Sequence, residues 1–151
     1  MPDPLSPKAA SAAGFNHFIQ QSSGPVYALS CLLLEKGARA EQATTATFAA
    51  LHPLWLKDSL SGDGAAASAY RECIRQCAVL ARDRSRCASG LLNWDDHVTS
   101  ALWYGIQLPL PDISQILECS IPELKARLRG IREQMAAARS ALPAVHRPSA
   151  G

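Results

Sequence analysis

Glycine-rich phosphate loops, alternating strands and long apolar runs are all missing from this chain of 151 residues. Without a glycine-rich loop there is no cradle of backbone N–H groups for a nucleotide phosphate. Strand-forming residues are sparse and do not alternate, which argues against a sheet. The longest apolar run, near Leu32, is far too short to span a bilayer. The opening "MPDPLSPKAASAAG" has no apolar core of the kind a secretory signal needs. A cytoplasmic protein with no membrane contact is the expectation. Histidine is scarce and scattered, at His17, His52, His97 and His146, with no cysteine or carboxylate at motif spacing. Asp95 and Asp96 precede His97 closely, but neighbouring helix residues point in different directions, so His97 reads as a satisfied surface side chain. Five cysteines make an odd count with no secretory signal, which argues against a disulfide framework. Cys73 and Cys77 lie one helical turn apart, yet zinc would need two more ligands and none occurs at finger-like spacing. Buried free thiols are the better reading. No enzyme activity, metal or cofactor is expected.

Alanine and leucine are what the chain has in quantity, and 48% of its residues are hydrophobic, enough for a core. This composition implies an all-α protein. Phe15, Phe18 and Ile19 begin a helical pattern that Gly24 and Pro25 are expected to break. Val26, Leu29 and Leu33, widened by Tyr27, Cys31 and Leu34, form the stripe of a second helix that Gly37 stops. A third runs from about Ala38 to Leu51, with Ala40, Ala43, Thr44, Thr47, Phe48 and Leu51 on one side. "KDSLSGDGAAAS" reads as a polar loop. A fourth helix carries Tyr70, Ile74, Cys77 and Leu80 or Ala81, with arginines around it. Asn93 is an N-cap, with Asp95 and Asp96 in the first turn at the positive end of the helix dipole. Trp94, Val98, Ala101 and Leu102 form the buried stripe behind it. The tryptophans, Trp55, Trp94 and Trp103, read as core anchors.

The formal charge is only +2, so composition alone does not announce a nucleic-acid partner. The distribution says more. Tyr70 to Gly90 carries a net +3 and Ser120 to Pro148 a net +4. A solvated helix face explains such clusters too. The second cluster, however, falls in "LPLPDISQILECSIPELKARLRGIREQM". Pro111 starts a short helix lined by Ile113, Ile116 and Leu117, and "ECS" is the turn. Ser120 then caps a further helix, with Glu123 three residues on and Pro122 in the first turn, where its missing N–H costs little. Leu124, Leu128, Ile131 and Met135 face inward. Lys125, Arg129 and Arg132 recur at the same steps one position on, and share an adjoining exposed face. Arg127 points elsewhere, toward a phosphate if DNA is bound. Two helices joined so tightly fit a helix-turn-helix, whose second helix enters the major groove. A plain helical hairpin with a charged outer face fits the pattern equally well.

These residues resemble the promoter-reading region four of extracytoplasmic-function sigma factors. Ser120, Ile121, Leu124, Lys125, Ala126, Arg127 and Leu128 fall where that family has a Ser-Val-x-x-Val-Lys-Ser-Arg-Leu motif. The preceding "WDDHVTSALWYGIQLPLPDISQIL" is similar to the helices leading into it. "FNHFIQQSSGPVYALSCLLLEKGARAEQATTATFAALHPLW" resembles region two of the same family through Val26, Tyr27, Leu33, Gly37, Ala40, Glu41 and Phe48. "AYRECIRQCAVLARDRSR" sits where the family has its promoter-opening helix. The resemblance covers about Phe15 to Met135.

It implies two small helical modules: a region-two-like domain at 14–86 and a region-four-like helix-turn-helix domain at 93–140, joined by a short linker at 87–92. A disordered lead at 1–13 and a tail at 141–151 complete the expected organisation. The implied partners are promoter DNA, the RNA polymerase core and an anti-sigma factor. DNA contacts are expected from Ser120, Pro122, Glu123, Lys125, Ala126, Arg127, Arg129 and Arg132. Polymerase contacts are expected from Glu41, Gln42, Thr45 and Ala46. Several of these positions depart from the family pattern. Gln42 replaces an acidic residue, and Thr45-Ala46 replaces a Gln-Glu pair that helps dock polymerase. Tyr70 and Cys77 stand for Trp and Asn in the opening helix, and the turn glycine is replaced near Glu118-Cys119. The departures leave two readings: a divergent sigma factor, or a sigma-like interaction module that binds a regulator without initiating transcription.

Overall fold

The computed structural model describes residues 7–57, 60, 64–81 and 92–141. Among these residues every regular element is helical: α1 (Pro7–Leu34), α2 (Ala38–Leu56), α3 (Gly64–Leu80), α4 (Trp94–Ser100), a π turn (Ala101–Gly105), α5 (Leu110–Leu117) and α6 (Ile121–Ala141). The all-α expectation holds there.

The first three helices pack on one another in all three pairs. Helix α1 is one element where the sequence pattern predicts two, because Pro25 lies inside it. Proline removes a donor and crowds the carbonyl four residues back, at a cost of roughly 3 kcal/mol. Phe15 and Phe18 on one side of the interruption, and Val26 and Leu29 on the other, are buried in the same core. Burying each such side chain contributes roughly 1.5–3 kcal/mol, so the continuous helix wins. The same helix begins at Pro7, inside the segment expected as a disordered lead. Pro7 suits a first helical position, and four alanines between residues 9 and 13 favour the next turns.

Helix α2 likewise runs past its expected end at Leu51 and through Pro53. Trp55 holds the extra turn. Its ring lies 5.5 Å from both Phe15 and Phe18, and Phe18 meets Phe48 edge-on at 6.1 Å. Helix α1 approaches closely at this point: a Cβ on Gly14 would sit 3.1 Å from Trp55 Cζ2. Ala40, Ala43, Thr47, Phe48 and Leu51 form the buried stripe of α2, as expected, with Thr44 half-buried beside them.

Helix α3 starts earlier than its pattern suggested, taking in the alanines of the expected loop. Its buried side is Ala65, Ala67, Ala69, Glu72, Cys73 and Cys77, with Tyr70 and Ile74 only partly covered. Glu72 is buried with partners: Gln76 Nε2 donates to it at 2.8 Å and Arg75 pairs with it at 3.3 Å. Arg39 crosses from α2 to donate to the Leu80 carbonyl at 2.9 Å, satisfying one of the last acceptors of α3. Cys31, Cys73, Cys77 and Cys119 are free thiols, and Cys73 and Cys77 are fully buried. Cys73 lies 3.2 Å from the Ser30 hydroxyl. The hydrogen bond that the Cys77 thiol donates to Cys73, together with burial, pushes Cys77 well above its ordinary range, so Cys77 behaves as a neutral packing group. Cys87 lies outside the described residues.

The second half packs on the first through two seams. Helix α3 meets α5, where Arg71 pairs with Glu118 at 3.5 Å. Helix α1 meets the π turn, where Leu32 lies so close to Gly105 that a Cβ there would collide with it. His97 belongs to this contact: it is half-buried and bonds the Leu32 carbonyl. It is therefore not the surface side chain expected from sequence. One continuous set of buried side chains runs from Phe15 to Ile131. Of the expected linker at 87–92, Leu92 is described, and it is buried. The expected tail is described only at Ala141, the last residue of α6.

Candidate nucleic-acid interface

Asn93 opens this half as its sequence position implies, accepting a hydrogen bond from the Asp96 N–H at 2.9 Å. Helix α4 buries Val98 and Thr99, then widens into the π turn, where the Ile106 N–H reaches back five residues to the Ala101 carbonyl. The extra residue per turn rotates the chain beyond it, and such widenings recur at functional sites. Ala101 and Leu102 stay buried, Trp103 is half-buried and Tyr104 is exposed.

Pro109 and Pro111 flank the start of α5, which buries Ile113 and Ile116. Its end is a left-handed residue, Glu118, at φ 55° and ψ 45°. The Cys119 N–H returns to the Ser114 carbonyl at 3.1 Å, and the Ser114 hydroxyl donates to the Cys119 carbonyl. Three residues, 118–120, thus turn the chain into α6. Ser120 Oγ accepts from the Glu123 N–H at 3.2 Å, the cap the sequence implied.

Helix α6 is anchored by Leu124, Leu128 and Ile131, all buried, with Met135 partly covered. Ser120, Pro122, Glu123, Lys125, Ala126, Arg129 and Arg132 are exposed, as a contact surface requires. Arg127 is not on that surface. It is half-buried and its Nη1 donates to Thr99 Oγ1 at 3.4 Å, tying α6 to α4. The reason is its angular position: on α6 it lies on the flank facing α4, opposite the flank of Lys125, Arg129 and Arg132.

The basic stripe expected from the sequence ends at Arg132. In the structure it continues to Arg139, seven residues on and exposed. Along its length lie two adjoining pockets of about 250 and 360 Å³ that share Tyr104 and Arg132. Trp103 and Leu110 line the first, Ser100 and Met135 the second. The sevenfold spacing from Arg132 to Arg139 was a readable signal. The π turn that presents Tyr104 was not.

On α2, Glu41, Gln42 and Thr45 are exposed and Ala46 is half-buried, so these four form an outward patch. Among the described residues the histidines form no common site: His17 and His52 are exposed on α1 and α2, and His52 lies 5.0 Å from the Phe15 ring; His146 lies outside the described residues. No group of three metal-ligating side chains occurs among the described residues. Comparison of the chain with protein-family models, with curated proteins and with solved structures finds no match.

Proposed function

We propose that this protein is a divergent sigma factor of the extracytoplasmic-function type, which directs RNA polymerase to particular promoters and performs no chemistry of its own. The observation that carries the reading is α6. It leaves a three-residue turn, is capped by Ser120, and presents Lys125, Arg129 and Arg132 on one exposed flank. Neither Lys125, Arg129 nor Arg132 has an ion-pair partner among the described residues. In this reading α5 and α6 act as the helix-turn-helix: the first turns of α6 enter the major groove and the basic flank neutralises phosphates. Arg127 acts as a positioning residue through Thr99.

Titration with duplex DNA at two salt concentrations tests it, with purified polymerase core in a parallel capture. Arg129→Ala is expected to weaken DNA binding without unfolding the protein and to reduce the salt slope by about one if it contacts a phosphate. Leu128→Ala is expected to act on the fold instead, costing roughly 2–5 kcal/mol. Unchanged DNA titrations for Arg129→Ala at two salt concentrations would remove it from the interface. Replacing Thr45 by Gln and Ala46 by Glu is expected to strengthen capture of polymerase, and no gain would detach that patch from docking.

The second reading, a sigma-like module that binds a regulator such as an anti-sigma factor, is favoured by the seams. Promoter opening and promoter reading occur at separate places on DNA. Here the α3–α5 and α1–π turn contacts hold the two halves side by side. Failure to bind both core polymerase and duplex DNA at low salt, with retained capture of an anti-sigma protein, would move the function to this reading.

A further inference from the structure

We propose that the groove between α6 and the π turn docks an acidic amphipathic helix from a partner protein. The groove combines two features that duplex DNA does not use together. Its wall and floor are apolar and aromatic: Trp103, Leu110 and Leu128 in one pocket, Met135 in the next, with Tyr104 shared. Its rim is cationic, from Lys125, Arg129, Arg132 and Arg139, and no acidic side chain lines either pocket among the described residues. Tyr104 is 46% exposed, a large ring left half-uncovered beside that rim.

Charge complementarity selects the occupant. The cations line one long flank of α6 from Lys125 to Arg139, a span of about 21 Å at 1.5 Å per residue. That matches roughly four turns of a partner helix, whose apolar side chains at i, i+3, i+4 and i+7 would enter the pockets while carboxylates meet the rim. The chain's own C-terminal segment, residues 142–151, is the wrong partner. It has no acidic residue and carries Arg147. A phosphodiester backbone would satisfy the rim and leave the apolar floor unused.

The docking stands without the promoter reading, because Tyr104, Met135 and Arg139 lie outside the residues assigned to DNA. If both hold, the shared Lys125, Arg129 and Arg132 make DNA and the partner helix mutually exclusive. The test uses the full chain and a fluorescein-labelled synthetic peptide of about four helical turns, with leucines at helix-face spacing and glutamates flanking them. Two control peptides have the same composition scrambled, or lysine for every glutamate. Saturable binding at least about tenfold tighter than to either control is expected. Tyr104→Ala and Arg139→Ala are each expected to weaken it several-fold with unchanged thermal melts, since both side chains are exposed. Equal affinity for the scrambled peptide, or no effect of Tyr104→Ala, would overturn the proposal. So would a single-stranded oligonucleotide whose binding depends on Tyr104 while peptide binding does not, which would make the groove a base-stacking site. Duplex binding and its response to Arg129→Ala are read separately, so failure of the groove and failure of the promoter reading are distinguishable.

Discussion

Glu118 sits in the left-handed region at the point where the two helices of the candidate interface are joined. An L-residue pays about 1–2 kcal/mol there, which glycine avoids. Its compensation is the pair with Arg71, but Glu118 is well exposed and Arg71 only partly covered, and such a solvent-screened pair is worth about 0–1 kcal/mol. Glu118→Gly is therefore expected to stabilise the fold, raising the melting temperature by roughly 2–4 °C per kcal/mol gained in a chain of this size. Thermal melts of this variant alone and combined with Arg71→Ala separate backbone relief from the lost pair. A lower melting temperature in both would show that the turn prefers its side chain.

The helices obey two kinds of control, and they differ in what can be read locally. Caps are local. Asn93 and Ser120 each accept a backbone N–H three residues on, as their sequence positions implied. Asn93→Ala is expected to cost about 1 kcal/mol, visible as a lower melting temperature, while Asn93→Ser should recover most of it. Breaks are not local. Gly24-Pro25 and Pro53 are strong stop signals, yet α1 and α2 pass through them. The aromatic cluster of Phe15, Phe18, Phe48 and Trp55 brings the distant ends of these helices together, and that packing outweighs the missing backbone bonds.

At the scale of the whole molecule the seam between halves is the feature with consequences for pH. Burial holds His97 below its ordinary range, and its bond to the Leu32 carbonyl opposes that shift without cancelling it. In the unfolded chain the same histidine takes its proton near pH 6.5. Below that pH the unfolded state binds more protons than the folded one, so stability is full above about pH 6.5 and falls as the pH is lowered. Denaturant melts between about pH 7.5 and pH 5 are expected to show this decline, and His97→Gln to flatten it. An identical slope in the variant would place the acid sensitivity elsewhere.

The helical class, the caps and the inward faces of α2 and α6 were legible because each depends on spacing within one segment. Ala40, Ala43, Phe48, Leu124 and Ile131 belong to runs that recur at three and four, and a helix leaves such residues only one side on which to be buried. Much of the candidate site was readable for the same reason: Lys125, Arg129 and Arg132 share a flank by periodicity alone. Arg127, His97 and Tyr104 were not legible. Which of them meets Thr99, the Leu32 carbonyl or open solvent depends on how α4, the π turn and α1 are placed around α6, and nothing in their own neighbourhood encodes it. Local periodicity determined which faces turn inward. The groove beside α6 exists only because a π turn on a separate segment aims Trp103 and Tyr104 at the basic flank, a juxtaposition that tertiary packing alone decides.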